Sequence, residues 1–279
     1  VLHCPFYYGP LMPRCAVTVA IHDVLILEHP EWFPRSWASP IRWLTPVTAR
    51  KAAAVVTDAE AVRERIEALC GVPRDRIRVI PHAVDHAVFH PVDGAATMAA
   101  RERWAGGRPY LLQVGAVEPR RGIDLVLWAV EALRERWPEL VLLLVGPDRA
   151  RVAALEDPPA WVVRPGFVSD GELPALHAGA EAVLSPSRGE GFDLPLLEAL
   201  ASGAAVVASD IPVHVEHFAP AVELFASGDR EALAGALERV LGDSAHREEL
   251  RRRAVEHAAA FTWERSARAH LALWREISG

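Results

Sequence analysis

The 279-residue sequence predicts an α/β fold built from two parallel-sheet domains, the first of them incomplete. Three observations predict it. Short β-branched runs alternate with longer helical patterns, the pattern of a parallel sheet with helices on its faces. This alternation stops at a proline-bounded, histidine-rich stretch, Pro81 to Pro91, and restarts at Tyr110. Three strands are expected before the break and six after it, so the first domain is short by roughly 90–100 residues at about 30 per βα unit.

In the first part, Ala16 to Ile21, Ala54 to Thr57 and Ile77 to Ile80 read as strands, with helices over 39–52 and 59–69 and Asp58 placed to cap the second. The Pro81–Pro91 linker sets a boundary near residue 92, giving domains of 1–91 and 92–260. Beyond it, strands are expected at Tyr110 to Gly115, Leu140 to Val145, Trp161 to Arg164, Ala182 to Leu184, Ala204 to Ala208 and Val222 to Phe225. Helices begin near Gly122, Asp170, Leu194 and Asp229. Ser244 to Ile277 is helical with a break at Phe261 to Trp263, where Thr262 serves as a cap, and 261–279 is expected to pack back toward the first domain.

Hydrophobic residues make up 51% and charged residues 24%, which is globular composition without a disordered tail. A net charge of -7 removes the electrostatic case for nucleic acid, whose proteins present a basic face. Cys4, Cys15 and Cys70 are odd in number and lack CxxC spacing, so neither a disulfide framework nor a zinc site is expected and a reduced, cytoplasmic setting fits. No apolar run is long enough to span a bilayer, and no leader pattern opens the chain. Neither GxGxxG after a strand nor GxSxG occurs, which sets aside nicotinamide-dependent dehydrogenases and the common serine hydrolases.

The chemistry concentrates between residues 115 and 216. Residues 185–198, SPSRGEGFDLPLLE, read as a strand end, a glycine-rich turn and a helix with Pro195 in its first turn. Such a turn cradles phosphate: the backbone N–H groups of Phe192, Asp193 and Leu194, with Gly191 in the same turn, and the positive end of the helix dipole face an anion. Glu190 and Glu198 stand eight positions apart, too far to act as a carboxylate dyad and suited instead to two hydroxyl-bearing sugars joined by a diphosphate. Residues 114–124, VGAVEPRRGID, repeat the strand–turn–helix pattern from Gly115, with Arg120 and Arg121 at the helix entrance, where guanidinium groups would neutralise a diphosphate leaving group without a metal. No Asp-x-Asp pair is placed to hold a divalent ion there.

The strings EPRRGID, GFVSDGEL, PSRGEGFDLPLLEALASGAAVVASD and FTWER, in that order, resemble glycosyltransferase family four, as do IHD at Ile21 to Asp23, HPEWFP at His29 to Pro34 and VIPHAVD at Val79 to Asp85. The resemblance implies a GT-B fold of two Rossmann-like domains. It also implies retaining transfer of a sugar from a nucleoside diphosphate donor to an acceptor hydroxyl, with no cofactor and no metal. By residue, it places Glu198 on the ribose, Glu190 on the donor sugar, Phe192 to Leu194 on phosphate and sugar through their backbone, and Arg121 on the diphosphate where the family usually carries lysine. It further places His22 on the donor sugar, and the turn at Gly166 to Ser169, with Val168, beside the nucleobase. The EPRR turn resembles bacterial mannosyltransferase-like members, which suggests mannose from a guanosine diphosphate donor and a glycan or lipid-linked acceptor. Three positions depart from the family: Ala116 stands where many members carry an arginine, Asp193 replaces a glycine, and the glycine-rich loop near the start of the first domain is absent. A carboxylate at 193 should repel a diphosphate unless it turns away to cap the helix.

A non-catalytic nucleotide-sugar-binding fragment or pseudoenzyme, and a GT-B sugar-nucleotide epimerase or hydrolase, are the alternatives to transfer. His82, His86 and His90 are taken as linker residues rather than a metal site, because prolines flank the run, and His214, Glu216 and His217 are likewise not taken as metal ligands. Trp32, Phe33, Trp37 and Trp43 interleave with Arg35, Arg42, Arg50 and Lys51. That mix would fit a peripheral contact at the inner face of a membrane, with ordinary packing the preferred reading.

Overall fold

The computed structural model describes residues 1–150 and 152–278. The chain divides into two compact units: Val1–Ala83 with Glu190–Phe192 and the segment from Phe261 onward, and Val84–Gly189 with Asp193–Ala260.

The first unit holds four parallel strands in the order β1-β2-β3-β4: β1 (Leu2–Cys4), β2 (Val17–Ala20), β3 (Ala54–Thr57) and β4 (Ile77–Val79). The fourth strand corrects the expected three. β1 is only three residues long and half exposed, so it carries no alternation that a pattern could register. β2 and β3 are buried throughout, as parallel strands covered on both faces must be. The first long helix is Arg35–Lys51, starting four residues earlier than expected and accommodating Pro40 and Pro46 within its length. Its inner face is Ala38, Ile41, Thr45, Thr48 and Ala49. Trp37 and Trp43 lie outside that stripe at 45% and 63% exposure, which corrects the expectation that they pack inside. The cap position of the Glu60–Cys70 helix is Ala59, and the carboxylate of Asp58, the residue before it, lies 2.7 Å from His22 Nδ1. The Trp263–Ser278 helix adds Leu273 to a core of Ala54, Val56 and Ile80, and Thr262 Oγ1 accepts from the Arg265 N–H at its start.

The second unit holds six parallel strands: β5 (Tyr110–Val114), β6 (Val141–Val145), β7 (Val162–Gly166), β8 (Ala182–Ser185), β9 (Val206–Ser209) and β10 (Glu223–Phe225). Their order, β10-β9-β8-β5-β6-β7, is the doubly wound arrangement. It reverses direction between β5 and β8, which pair at Leu111–Ala182 and Leu112–Val183. At such a switch point the crossovers part to opposite faces, leaving a crevice beyond the carboxyl ends of the strands where ligands bind. Leu111, Leu142, Val207, Leu233 and Leu237 are fully buried around this sheet, each contributing about 1.5–3 kcal/mol relative to exposure. The helices at Gly94–Ala105 and Pro212–Phe218 are additional to those expected.

The Leu194–Ala201 helix, which follows β8, ends in a reciprocal pair of bonds: Gly203 N–H donates to Leu200 O and Ala204 N–H to Ala199 O, both at 3.0 Å. This is the Schellman closure, and it places Gly203 at φ +78°. Nothing closer than 3.5 Å would meet an added Cβ there, so Gly203→Ala tests backbone conformation with little steric contribution. It is expected to cost about 1 kcal/mol and lower Tm by about 2–4 °C in thermal unfolding.

Candidate active site

Two turns meet at the switch point of the second unit. The one after β5 runs from Gly115 through the Pro119–Arg121 turn into the Ile123–Leu133 helix, and the one after β8 leads to the Leu194–Ala201 helix. They are stitched together. Arg188 N–H donates to Arg120 O at 2.9 Å, Arg120 Nη1 to Gly189 O at 3.2 Å, and Arg188 Nη1 to Pro119 O at 2.7 Å. Gly122, at φ +65°, sits so close that a Cβ would strike the Pro186 carbonyl. The β5 turn is also tied to its own strand, because Gln113 Nε2 donates to Arg121 O at 2.8 Å.

This framework fixes Arg121. Its guanidinium lies over Gly115, with Cζ 3.4 Å from where a Cβ would be, and the open φ of +134° at Gly115 permits that approach. Nη1 stands 3.5 Å from Asp193 Oδ1, with the two side chains 13% and 1% exposed. Arg120 Nη2 is 2.7 Å from Glu118 and its Nη1 donates to Gly189 O at 3.2 Å.

Asp193 caps the Leu194–Ala201 helix at φ +81°, a backbone region that favours glycine and that aspartate tolerates better than most residues. Its carboxylate accepts from the Leu196 N–H at 3.4 Å and from Ser185 Oγ, and His214 Nε2 lies 3.1 Å away. His214 is itself anchored at 2.8 Å to Ser209 O and is fully buried. Burial alone would raise the Asp193 pKa; the His214 bond and the Arg121 charge outweigh it and hold the carboxyl well below the usual range. Asp193 thus caps the helix as the sequence suggests, yet it does not turn away from Arg121. Ser185 and His214, absent from the expected site, are part of it.

Glu198 lies half-buried on the same helix. Burial pushes its carboxyl up to about 7, reinforced by the charges of Asp170 and Asp193. In the turn after β7, Val168 is buried and Phe167 exposed. Leu194 opens the helix and Pro195 follows it in the first turn.

Glu190, Gly191 and Phe192 group with the first unit. A Cβ on Gly191 would collide with the His22 carbonyl, and the Phe192 ring packs edge-on at 5.4 Å from His82 and 5.9 Å from Phe261. His22, Asp58 and His82 come from the carboxyl ends of β2, β3 and β4. His22 Nδ1 is 2.7 Å from Asp58 Oδ2, His82 Nε2 is 3.4 Å from the same oxygen, and His22 Nε2 is 3.0 Å from Pro5 O. Burial opposes charge on His22, but the Asp58 bond and charge and the Pro5 carbonyl prevail and push its pKa up; burial pushes His82 down. The three donor atoms lie within 4.8 Å of one another, a set that could hold a divalent cation among the described residues. His82 was expected to be a linker residue; the loop after β4 instead folds its ring against His22, with centroids 4.8 Å apart.

No helix of the described residues is long and apolar enough to cross a membrane. Residues 96–258 match the family model "Glycosyl transferases group 1", and residues 1–88 match "Glycosyltransferase Family 4". The chain is 28% identical over 275 residues to the O-antigen chain mannosyltransferase B of Escherichia coli, an alignment covering 95% of this chain and 71% of that one. It is 33% identical over 245 residues to a D-inositol 3-phosphate glycosyltransferase of Nocardia farcinica, covering 79% of this chain and 52% of the relative, so it spans only about half of that protein. Among solved structures, sucrose-phosphate synthase from Thermosynechococcus elongatus superposes with a TM-score of 0.78 at 24% identity, covering 94% of this chain and 67% of that one. Anabaena HepE in complex with UDP-glucose gives 0.77 at 18%, covering 93% and 72%. At these identities the likeness to solved structures establishes the fold. The family model spans more than half of the residues, and the chain belongs to the group 1 glycosyl transferases, with a family-four first region and the GT-B type of fold.

Proposed function

We propose that the chain is a retaining, metal-independent glycosyltransferase that moves a sugar, mannose by preference, from a guanosine diphosphate donor to a hydroxyl of a glycan or lipid-linked acceptor. The observation that carries this reading is Arg121, held over Gly115 at the switch point beside the N-terminus of the Leu194–Ala201 helix. As the bond from the sugar to the diphosphate breaks, negative charge grows on the leaving oxygen. A fixed guanidinium and a helix N-terminus stabilise that charge without reorganising. Arg120, beside Glu118, adds its charge to the same task.

In the same reading Glu198 accepts from the ribose, Glu190 and Gly191 line the donor sugar, and Phe192 to Leu194 bind through their backbone. Val168 and its turn pass the nucleobase, and His22 lies beside the donor sugar. The mannosyltransferase relative supports the sugar, and the UDP-glucose complex of HepE supports a nucleoside diphosphate donor. A setting in the cytoplasm, with Trp37 and Trp43 against the inner face of a membrane, belongs to the same proposal. The test is product analysis with GDP-mannose and UDP-glucose, with and without acceptor. Transfer, or slow release of free sugar without acceptor, is expected; nucleotide binding with no turnover of either donor would favour a non-catalytic binding module, and an epimerised nucleotide-sugar would favour an epimerase.

A further inference from the structure

We propose that Asp193 sets how tightly this site holds a diphosphate: its fixed carboxylate offsets the charge of Arg121, so that the nucleoside diphosphate product is held weakly enough to leave. The proposal rests on the reading that Arg121 and the helix N-terminus receive the diphosphate. Four features of the second unit carry it.

The backbone at Asp193 lies at φ +81°, a region that favours glycine, so a carboxylate is held where the turn would most easily take a residue without a side chain. Its carboxylate is pinned by Ser185 Oγ, by His214 Nε2 at 3.1 Å and by the Leu196 N–H at 3.4 Å. It therefore cannot swing aside when an anion arrives. With 1% of the side chain exposed, its charge is little screened by solvent. Finally, it faces Arg121 at 3.5 Å, the cation a diphosphate would use. The ionisable groups around it are Arg121, His214 and, through its charge, Glu198. Arg121 and His214 hold it ionised against its burial, so the negative charge persists at neutral pH. An anion entering this turn meets a guanidinium already partly neutralised and a carboxylate that stays.

Calorimetric titration of the whole chain with pyrophosphate, GDP, UDP, guanosine and uridine tests this, comparing the parent with Asp193→Asn and Asp193→Gly. Asparagine tolerates the left-handed backbone and glycine relaxes it, so at least one variant is expected to fold. Removing the charge should tighten pyrophosphate and both nucleoside diphosphates by about tenfold, the scale of one nearby charge in a partly buried site. Guanosine and uridine should be unchanged. A merely structural role for Asp193 predicts a lower Tm and weaker binding, never a gain. Equal or weaker binding of the anions, where the parent binds GDP or UDP, overturns the proposal and leaves the nucleotide reading in place. So does a gain that the nucleosides share. Absence of binding by all three proteins to pyrophosphate, GDP and UDP overturns the nucleotide reading, and the proposal falls with it.

Discussion

Arg121→Ala is expected to lower turnover of a nucleotide-sugar about a hundredfold or more, the usual cost of removing a charge-stabilising donor from a catalytic site. The expectation follows from how the residue is held. Its backbone is bonded to Gln113, its guanidinium packs over Gly115, and only 13% of the side chain is exposed. A cation fixed in a poorly screened turn stabilises developing charge more than a mobile surface one does. Steady-state kinetics separates the roles: a fall in kcat marks stabilisation of the leaving group, whereas a change confined to KM would assign Arg121 to ground-state binding. Arg121→Lys, which keeps the charge and restores the residue common in the resembling family, should recover most of the lost turnover. If lysine were as poor as alanine, the guanidinium geometry rather than the charge would be what matters.

Glu198→Ala is expected to weaken donor binding about tenfold, the scale of one hydrogen bond to a charged group. Burial, helped by Asp170 and Asp193, pushes this carboxyl up to about 7, which gives the prediction a pH signature. The anion is the form that accepts from ribose hydroxyls. Donor affinity should therefore fall as the pH drops through about 7 and the carboxyl takes up its proton, and it should level off above that range. In Glu198→Gln, which cannot ionise, the same titration by calorimetry should be flat. A Glu198→Ala variant with unchanged affinity, or a parent with no pH dependence between about 6 and 8, would remove Glu198 from the ribose.

Local signals made the second sheet and its turns legible in the sequence. Runs such as Tyr110 to Gly115 and Ala204 to Ala208 are short, apolar and bounded by turn residues, and Leu194 with Pro195 marks a helix start wherever it is placed. The helix at Gly94–Ala105 escaped notice because its sequence is alanine-rich and buries only Ala100 and Ala105, so it has no apolar stripe to find. Asp58 has a partner that spacing does not show. Its place just before a helix is where a capping aspartate belongs, and the neighbouring strand also brings His22 within 2.7 Å of it, a pairing that spans 36 residues. Asp193 and His214 are separated by 21 residues and meet only because β8 and β9 lie side by side. Non-local pairs of this kind leave no trace in spacing. The resemblance pointed to the turn at 185–198, while the carboxylate's partners became visible only in the fold.

The central claim is that a diphosphate is received at the start of the Leu194–Ala201 helix beside Arg121, and NMR of the chain titrated with GDP or UDP tests it most directly. The account predicts that the amide of Leu194 and the guanidinium Nε–H of Arg121 shift first and furthest, with saturation that Arg121→Ala weakens. Shifts confined to other parts of the chain, with Leu194 and Arg121 unmoved at saturating nucleotide, would contradict it.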